Sequence, residues 1–393
     1  MLALLCLAVF APSAAQSAEP TWLVGTGTGV TAARALHGER IAPGIRVIRG
    51  TAASARRLSR MPGVRFVERN RRYSASSITA PSDPLYGRQW ALRSTRVRAA
   101  WLATLGDGVP VAVLDSGLDL SNPDLAGNVW TNPDEIAGNG VDDDGNGFID
   151  DVHGADTVGQ DGDPSDGLGH GTAVASVIGA RGDNGFGLSG MAWDASLMPV
   201  KVLHDQGWGT TGTLIAGLRY ALDEGARIVN MSVNGPEQSQ ALAEAIAQAE
   251  ARGVLVVTSA GNDGKNRDRV ASYPASERSR TVITVASATR RGGLARGSAF
   301  GRASVDIAAP GDDVITSDLG GRFTRRAGTS FAAAYVTGAA ALLAAAHPEA
   351  SGSRLRAALV ASARRGGRVD AQIAGGQLDA AAALRRLGRL RPR

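Results

Sequence analysis

Cysteine is almost missing from this sequence. The 393 residues include one, Cys6, so no disulfide framework can staple the chain. Aromatic residues make up only 5% of the sequence. After the apolar stretch at the N-terminus, we expect no segment that is long and apolar enough to span a membrane. With 44% hydrophobic and 20% charged residues, the composition is that of a globular protein with one large core and room for an accessory module.

A net positive charge is also missing from most of the chain, although the whole sequence carries +5. Residues 16–80 hold 11 Arg and 3 Glu, which leaves residues 81–393 with a balance of −3. The main body is therefore not expected to carry a basic groove for nucleic acid, and the two oppositely charged parts are expected to attract each other. We expect a monomer with no nucleic-acid partner and no stable membrane anchor.

The N-terminus resembles a targeting signal. Residues 1–15 read MLALLCLAVFAPSAA, an apolar stretch that ends in the small residues Ser13, Ala14 and Ala15. This stretch has the length of a signal peptide and is too short to span a membrane. We therefore expect a secreted protein, either extracellular or periplasmic.

Residues 21–72 predict a small α+β module in the order strand, helix, strand, helix, strand. The strands are expected in TWLVGT, IRVIRG and VRFVERN, and the helices in ARALHGER (33–40) and ASARRLSRMPG (53–63). The following SASSITAPSDP (74–84) has the composition of a linker. We place the module and its linker at residues 16–81 and the main domain at residues 82–393.

From Pro110 onward, short apolar runs alternate with amphipathic segments. The runs VAVLDSG, SLMPVKVLH, ARIVNMSV, VLVVTSAGN and TVITVASAT predict strands, and TLIAGLRYALDEGA and QALAEAIAQAEARG predict helices. Continuous apolar strands between helices are typical of a doubly wound, mainly parallel sheet with helices on both faces. The expected fold class is therefore α/β, with ligand chemistry at the carboxyl ends of the strands.

Four polar residues stand where these strands end or where helices begin, each close to glycine. They are Asp115, His170, Asn262 and Ser330. Taken singly, each has a structural explanation as a helix cap or a turn residue. Their occurrence together in one chain favours a shared site.

The segments around these four residues resemble the subtilisin-like serine proteases, or subtilases. The motifs are VAVLDSGLD, GHGTAVASVIG, SAGNDG and GTSFAAAYVTGAAALL, and the resemblance covers about residues 82–385. The order Asp, His, Ser is that of subtilisin. The resemblance implies a serine endopeptidase that acts on polypeptides and is made as a precursor. Residues 16–81 would then hold an inhibitor-like propeptide, which is removed by autoprocessing and acts as an intramolecular inhibitor.

The resemblance also implies a role for each of the four residues. Ser330 would be the nucleophile, His170 the general base and then the general acid, and Asp115 the group that orients His170. The side-chain amide of Asn262 and the backbone N–H of Ser330 would stabilise the oxyanion. The family usually has Pro four residues after the serine, whereas this chain has Ala334, which continues the helix.

The resemblance also implies two segments that bind substrate. The edge that pairs with an extended substrate backbone would be formed by Gly207, Trp208 and Gly209. One wall of the primary specificity pocket would be formed by Ser232, Val233 and Asn234. The family often reads Ser-Leu-Gly at this wall, so a side chain replaces a bare glycine. Substrate preference is therefore not carried over from the family. Trp208 is expected to be a rim contact, because glycines flank it.

The loop NPDEIAGNGVDDDGNGFIDDVHGAD (132–156) is rich in carboxylates and contains the D-x-D-x-N-G spacing of a calcium loop. Its twelfth position is His153 rather than the glutamate of an EF-hand, so we expect a structural calcium site outside the EF-hand fold. The alternative is a solvated acidic turn. Bound calcium would stabilise the folded chain, which has no disulfide to do so. The expected ligands are Asp142, Asp144, Asn146, the backbone carbonyl of Phe148, Asp150 and Asp151.

Two other classes of function remain open from the sequence. A catalytically dead, calcium-dependent surface or adhesion protein on the same fold would not react with a fluorophosphonate at Ser330. A lipase or esterase would have G-x-S-x-G around its nucleophile and would place that serine before the Asp and His. This chain reads GTSFA, and its serine comes last.

Overall fold

The computed structural model describes residues 21–26, 38–70 and 80–389. The chain divides into two compact units, residues 1–75 and 76–393. This boundary lies six residues before the domain boundary expected after residue 81. The expected signal peptide, residues 1–15, lies outside the described residues. Residues 74–79 of the expected linker also lie outside them.

The first unit is an antiparallel sheet with one described helix. Its elements are β1 (Thr21–Thr26), β2 (Glu39–Ala42), β3 (Ile45–Arg49), α1 (Ala52–Ser59) and β4 (Val64–Arg69). The strands follow the order β2-β3-β1-β4, and all described pairs are antiparallel. The hydroxyl of Thr51 caps the helix by accepting from the backbone N–H of Ser54 at 3.2 Å.

The three predicted strands and the second predicted helix of this unit are confirmed, but the first predicted helix is wrong at its end. Residues 33–37 lie outside the described residues, whereas Glu39 and Arg40 belong to strand β2. The tight turn at Gly44, with φ of +75°, allows β2 to fold back and pair with β3. This pairing decides the conformation, and the helical pattern of the local sequence does not show it.

The second unit is built on a seven-stranded parallel sheet. Its strands are β5 (Pro110–Asp115), β6 (Ala155–Asp156), β7 (Ser196–Lys201), β8 (Ile228–Met231), β9 (Leu255–Ser259), β10 (Val282–Ala288) and β11 (Ile307–Pro310). They follow the order β11-β10-β9-β8-β5-β7-β6. The five predicted strands are confirmed as β5, β7, β8, β9 and β10, whereas the short edge strands β6 and β11 were not predicted. A separate antiparallel hairpin follows, formed by β12 (Val314–Asp318) and β13 (Arg322–Arg326).

Helices cover both faces of this sheet, as predicted. Along β5, Val111 and Val113 face one hydrophobic core, while Ala112 and Leu114 face the other. The helices are α2 (Trp90–Ser94), α3 (Val97–Trp101), α4 (His170–Gly179), α5 (Thr211–Asp223), α6 (Gln240–Ala251), α7 (Thr329–Ala346), α8 (Gly352–Ser362) and α9 (Ala380–Leu387). Helices α4 and α7 contribute to the first core, and helices α5 and α6, both predicted from the sequence, contribute to the second.

Helix α7 passes through the centre of the second unit. Every residue of this helix from Thr329 to Ala345 is buried. By length and composition alone, α7 would qualify as a membrane span, so the expectation that no later segment is long and apolar enough is wrong. Its burial inside the protein identifies α7 as a core helix.

Small residues allow α7 to pack closely on its neighbours. A Cβ atom on Gly338 would lie 2.4 Å from the Cβ of Met191 and 3.0 Å from the backbone oxygen of Ile178, which belongs to α4. Neither of these atoms is the free end of a flexible side chain. The contact therefore requires glycine at this position, although glycine is a poor helix former.

We predict that Gly338→Ala destabilises the protein. The overpacking should cost about 3 kcal/mol, against a gain of about 1 kcal/mol in helix propensity, so the free energy of unfolding should fall by about 2 kcal/mol. Chemical denaturation in a Ser330→Ala background measures this change. The control is Gly212→Ala in α5, where the nearest atom to the new Cβ is 3.5 Å away, and it should not be destabilising. Equal stabilities for the two variants would show that α7 has room at Gly338.

Candidate active site

The four residues singled out in the sequence lie at strand ends and helix starts of the second unit. Asp115 is the last residue of β5, and His170 is the first residue of α4. Asn262 follows β9 by three residues, and Ser330 is the second residue of α7. The N-cap of α7 is Gly328, which has no side chain that could accept from the first turn. Ser330 lies inside the helix, so its hydroxyl is not the N-cap, and the explanation of this residue as a helix cap is wrong.

Asp115 and His170 form a hydrogen-bonded pair. Nδ1 of His170 donates to Oδ1 of Asp115 over 2.7 Å, and the backbone N–H of Ser116 donates to the same oxygen over 2.8 Å. The Asp115 side chain is fully buried. Its negative charge raises the pKa of the His170 imidazole above the usual 6.5, whereas burial and the charge of Arg326 act in the opposite direction. The pair leaves Nε2 of His170 as the ring nitrogen available to a reacting group.

The backbone at the end of β5 approaches the start of α4 very closely. A Cβ on Gly171 would lie 2.1 Å from the backbone oxygen of Gly117, and a Cβ on Gly117 would lie 2.3 Å from the oxygen of Pro164. Only glycine permits these approaches. The glycines of the two motifs therefore bring Asp115 and His170 within hydrogen-bonding distance.

A third residue in this region, Asp166, was not singled out in the sequence. Its Oδ2 accepts from the backbone N–H and hydroxyl of Thr172, at 2.9 and 2.7 Å. Its Oδ1 accepts from the hydroxyl of Ser116 at 2.9 Å and from the backbone N–H of Gly169 at 2.8 Å. Asp166 thus joins the turn after Asp115 to the first turn of α4. An Asp four residues before His170 is the sequence signal that could have found it.

Asn262 is tied to the residue that precedes Ser330. The backbone N–H and the hydroxyl of Thr329 donate to Oδ1 of Asn262, at 2.9 and 3.0 Å. The same hydroxyl accepts from the backbone N–H of Gly261 at 3.2 Å. With Oδ1 occupied in this way, the amide nitrogen is the end of the side chain that can donate to a ligand. Thr329 also was not singled out in the sequence.

The start of α7 lies beside the Asp115–His170 pair. The ring of Phe331 is 5.9 Å from the ring of His170, measured between centroids. The structure thus brings together the neighbourhoods of all four residues, with Thr329 linking Asn262 to Ser330 along the chain. The arrangement offers a hydroxyl, an imidazole paired with a carboxylate and a side-chain amide at one edge of the sheet. These groups can carry out nucleophilic acyl transfer.

The predicted substrate edge lies in a turn after β7. A Cβ on Gly209 would lie 2.3 Å from the backbone oxygen of Val202, so this glycine permits a close backbone approach. The side chain of Trp208 is 53% exposed and stacks on His204, with ring centroids 4.0 Å apart. Gly207 has φ of +80°, which suits glycine. The exposure of Trp208 suits a rim contact, and its role remains a prediction.

The predicted pocket wall is connected to the other elements of the site by hydrogen bonds. The hydroxyl of Ser232 donates to the backbone oxygen of Ser330 at 3.4 Å. The amide of Asn234 donates to the backbone oxygen of Ser259 and accepts from its hydroxyl, both at 3.0 Å. The side chain at position 234 is therefore held against the end of β9, and Val233 lies between these two anchored residues. Their roles in specificity remain predictions.

The acidic loop separates its predicted ligands into two groups. Asp144 and Asp151 come together with Glu135, which the sequence analysis missed, and each offers an oxygen within 4.8 Å of the others. The amide of Asn146 donates to Asp144, Asp151 and Glu224. Burial raises the pKa of Glu224 to about 7. Glu135 and Glu224 lie outside the D-x-D-x-N-G pattern. The fold therefore brings Glu135 next to the loop carboxylates and Glu224 next to Asn146.

The other predicted ligands lie outside the three-carboxylate cluster of Glu135, Asp144 and Asp151. The carboxylate of Asp142 accepts from the backbone N–H groups of three loop residues, namely Gly145, Asn146 and Gly147. Asp150 accepts from the backbone N–H groups of Asn139 and Gly140. The ring of Phe148 packs edge-on against Tyr220. These carboxylates shape the loop in the structure, and metal binding by them is untested.

Comparisons of this chain with a family profile, with other sequences and with solved structures all point to the same family of proteases. The sequence profile of the Subtilase family matches residues 106–380. Thermitase from Thermoactinomyces vulgaris is 32% identical over 280 residues, which is 71% of this chain and 90% of that protein. The major intracellular serine protease of Bacillus subtilis (strain 168) is 38% identical over 243 residues, which is 61% of this chain and 69% of that protein. A solved protease from Pseudoalteromonas arctica superposes with a TM-score of 0.67 and 28% identity, over 79% of this chain and all of that one.

We predict that Asp115 and Arg326 move the pKa of His170 in opposite directions. Asp115→Asn removes the charge that stabilises the imidazolium, so the pKa should fall, while Arg326→Gln removes a repulsive charge, so it should rise. Titration of the imidazole resonances by NMR in a Ser330→Ala background measures both shifts, with His170→Gln identifying the signal among five histidines. An unchanged pKa in Asp115→Asn would contradict the electrostatic account.

Proposed function

The chain belongs to the subtilase family and is a serine endopeptidase, and on this premise we propose that Asp115, His170 and Ser330 are its catalytic triad. The observation that supports this best is the 2.7 Å hydrogen bond between buried Asp115 and His170, at the edge of the sheet where α7 presents Ser330. The same bond orients the imidazole, because it holds the proton on Nδ1 and leaves Nε2 to act as a base.

In the first half of the reaction, Oγ of Ser330 attacks the carbonyl carbon of the scissile bond while Nε2 of His170 takes the hydroxyl proton. The imidazolium that forms faces the carboxylate of Asp115, which stabilises its charge. The carbonyl oxygen becomes an oxyanion, which accepts hydrogen bonds from the amide nitrogen of Asn262 and the backbone N–H of Ser330. Collapse of this intermediate breaks the C–N bond, and His170 returns its proton to the leaving amine.

In the second half, water replaces the amine. His170 takes a proton from the water as it attacks the acyl carbon, and the oxyanion forms again at the same donors. Collapse releases the new carboxyl group and restores the hydroxyl of Ser330. Because Asn262 accepts two hydrogen bonds from Thr329, its donor is already oriented before the charge develops.

The substrate is proposed to be a polypeptide bound in extended form along residues 207–209. A substrate strand there would form hydrogen bonds with the backbone of this segment, so this part of the recognition is independent of side-chain identity. Selectivity would come from the wall at residues 232–234. The amide of Asn234 is tied to Ser259, so the wall is fixed before substrate binds.

The first unit is proposed to be an inhibitory propeptide. Residues 16–80 carry a charge of +8 against −3 for the rest of the chain, and this difference favours association of the two parts. Cleavage is proposed between Tyr73 and Ser82, in the Ser- and Ala-rich linker. We also propose export guided by residues 1–15. Because one relative is named an intracellular protease, family membership alone leaves the compartment undecided.

We predict that Ser330→Ala abolishes catalysis and processing together. The purified variant should hydrolyse no peptide substrate, should not be labelled by a serine-directed fluorophosphonate, and should keep its N-terminal unit when expressed without other proteases. N-terminal sequencing and mass spectrometry measure the last point. A processed N-terminus in this variant would contradict autoprocessing, and retained labelling would contradict the assignment of the nucleophile.

The location of the same variant tests export. Protein recovered from the periplasm or the medium without residues 1–15 is the expected result, and a chain that stays in the cytoplasm would contradict it.

A structural calcium ion is proposed at the three-carboxylate cluster. The residues fit such an ion, because Oε2 of Glu135 is buried and has no hydrogen-bond partner among the described residues, and the cluster offers hard oxygen ligands. Glu135, Asp144 and Asp151 would hold the ion, which would neutralise their mutual repulsion and secure the segment between β5 and α4. None of these residues contacts the triad in the described hydrogen bonds, so the ion would stabilise the fold without taking part in catalysis.

We predict that calcium controls the lifetime of the enzyme rather than its rate. Chelation should lower Tm and speed self-digestion, with little change in the initial rate. The loss should be about 2.7 kcal/mol where calcium had been present at a hundredfold excess over Kd. Asp144→Ala should reproduce this effect and should blunt the rise of Tm on adding calcium. The control is Asp143→Ala, in the same loop but outside the cluster, which should respond to calcium as the wild type does. If Asp144→Ala also keeps the full response, the loop is a solvated turn.

A further inference from the structure

The turn that carries Asn262 is held by a buried arginine that the mechanism above does not use. Arg267 belongs to the loop after β9, and its side chain is only 3% exposed. Its guanidinium donates from Nε to the backbone oxygen of Ala260 over 2.7 Å and from one terminal nitrogen to Oδ1 of Asp263 over 2.6 Å. Ala260 and Asp263 immediately flank Gly261 and Asn262. One planar group therefore holds both ends of the short segment that presents Asn262.

We propose that Arg267 is a positioning residue for the oxyanion hole. This inference rests on the proposed role of Asn262 as an oxyanion donor. Arg267 itself does not contact the substrate, and it acts by fixing the backbone on which Asn262 stands.

The geometry around Gly261 supports this role. A Cβ at this position would lie 2.3 Å from a terminal nitrogen of Arg267, so the turn and the guanidinium are packed directly against each other. Gly261 has φ of +106°, a conformation that glycine adopts easily. Because glycine is the least restrained residue, a turn built on it needs outside contacts to hold one conformation.

The amide of Asn262 is therefore restrained from two sides. Thr329 holds its Oδ1 from the side of α7, and Arg267 holds the flanking residues Ala260 and Asp263 from the side of β9. The second terminal nitrogen of Arg267 reaches the backbone oxygen of Val270 at 3.3 Å. Three acceptors in different directions suit a planar guanidinium with five donors, whereas the ammonium of a lysine is a single point on a flexible stem. Loss of the guanidinium would free the turn to shift and would deprive the backbone oxygen of buried Ala260 of this donor.

The test is a double-mutant cycle between Arg267 and Asn262. Asn262→Ala alone should lower kcat by about a hundredfold to a thousandfold, with little change in KM. Arg267→Lys in the wild-type background should lower kcat by about tenfold to a hundredfold, because a small misplacement of a catalytic group is costly. In the Asn262→Ala background the same Arg267→Lys change should alter kcat by less than about twofold, since the donor that it positions is gone. Each kcat is normalised to the fraction of sites that a fluorophosphonate labels.

A matched control separates positioning from loss of stability. Arg356 is another arginine that holds a backbone oxygen, that of Val282, and a carboxylate, that of Asp306, and its side chain is 29% exposed. It lies in α8, away from the triad. Arg356→Lys should lower Tm and leave kcat and KM unchanged. If Arg267→Lys proves too unstable to assay, Asp263→Asn weakens the same contact from its exposed end and should show a smaller loss of kcat with the same dependence on Asn262.

The outcomes distinguish the inference from the function on which it rests. If Asn262→Ala keeps the wild-type kcat, the oxyanion role itself is wrong. If Asn262→Ala loses rate but Arg267→Lys lowers kcat equally in both backgrounds, or changes only Tm, Arg267 is a structural residue and the inference is overturned.

Discussion

The burial of helix α7 is the constraint on which the rest of the site depends. Because Thr329 through Ala345 are buried, the helix cannot rotate or slide without opening the core, and the position of Ser330 follows from this packing. Other parts of the site are attached to the same helix. The ring of Phe331 contacts His170, and the hydroxyl of Thr337 donates to buried Asn230 at 2.9 Å. Asn230 in turn donates to Ser232 in the predicted pocket wall. One apolar helix thereby sets the positions of polar groups from several strands.

The sequence predicted the elements whose signal is local and missed those that depend on pairing. The strands β5, β7, β8, β9 and β10 are continuous apolar runs, since both of their faces are buried, and their short length and β-branched residues identify them as strands. Strand β6 has two residues and β11 ends in Pro310, so neither gives a clear pattern. Strand β2 was assigned to a helix because its pairing with β3 is not visible in the local sequence.

The same distinction applies to the sites. Asp115, His170, Asn262 and Ser330 could be found because each stands at an element boundary with glycine nearby, and the resemblance then supplied their roles. Asp166, Thr329 and Arg267 were missed although Thr329 stands at the same helix start as Ser330, because position alone does not show the contacts that each makes in the folded chain.

The acidic loop shows the limit of motif spacing. The D-x-D-x-N-G pattern correctly marks a tight turn rich in carboxylates, and Asp142 takes up three backbone N–H groups of that turn. The spacing does not show that Glu135 joins Asp144 and Asp151, since this association arises when the two ends of the loop meet. Carboxylates in a sequence motif can therefore serve the backbone of the loop as well as an ion, and only the fold separates these uses.

Charged side chains hold the turns that carry the predicted catalytic groups. Asp166 connects the turn after β5 to the start of α4. Nζ of Lys201 donates to the backbone oxygen of Ser116, in the same turn, at 3.0 Å. Arg267 holds the turn after β9. Burying charge in this way is costly, and apolar packing of similar volume is often at least as stable. Packing alone, however, is non-directional, whereas a hydrogen bond from a charged group sets both distance and angle. Stabilisation of an oxyanion requires donors that are oriented before the charge appears, so directional contacts at these turns serve catalysis even where they add little to stability.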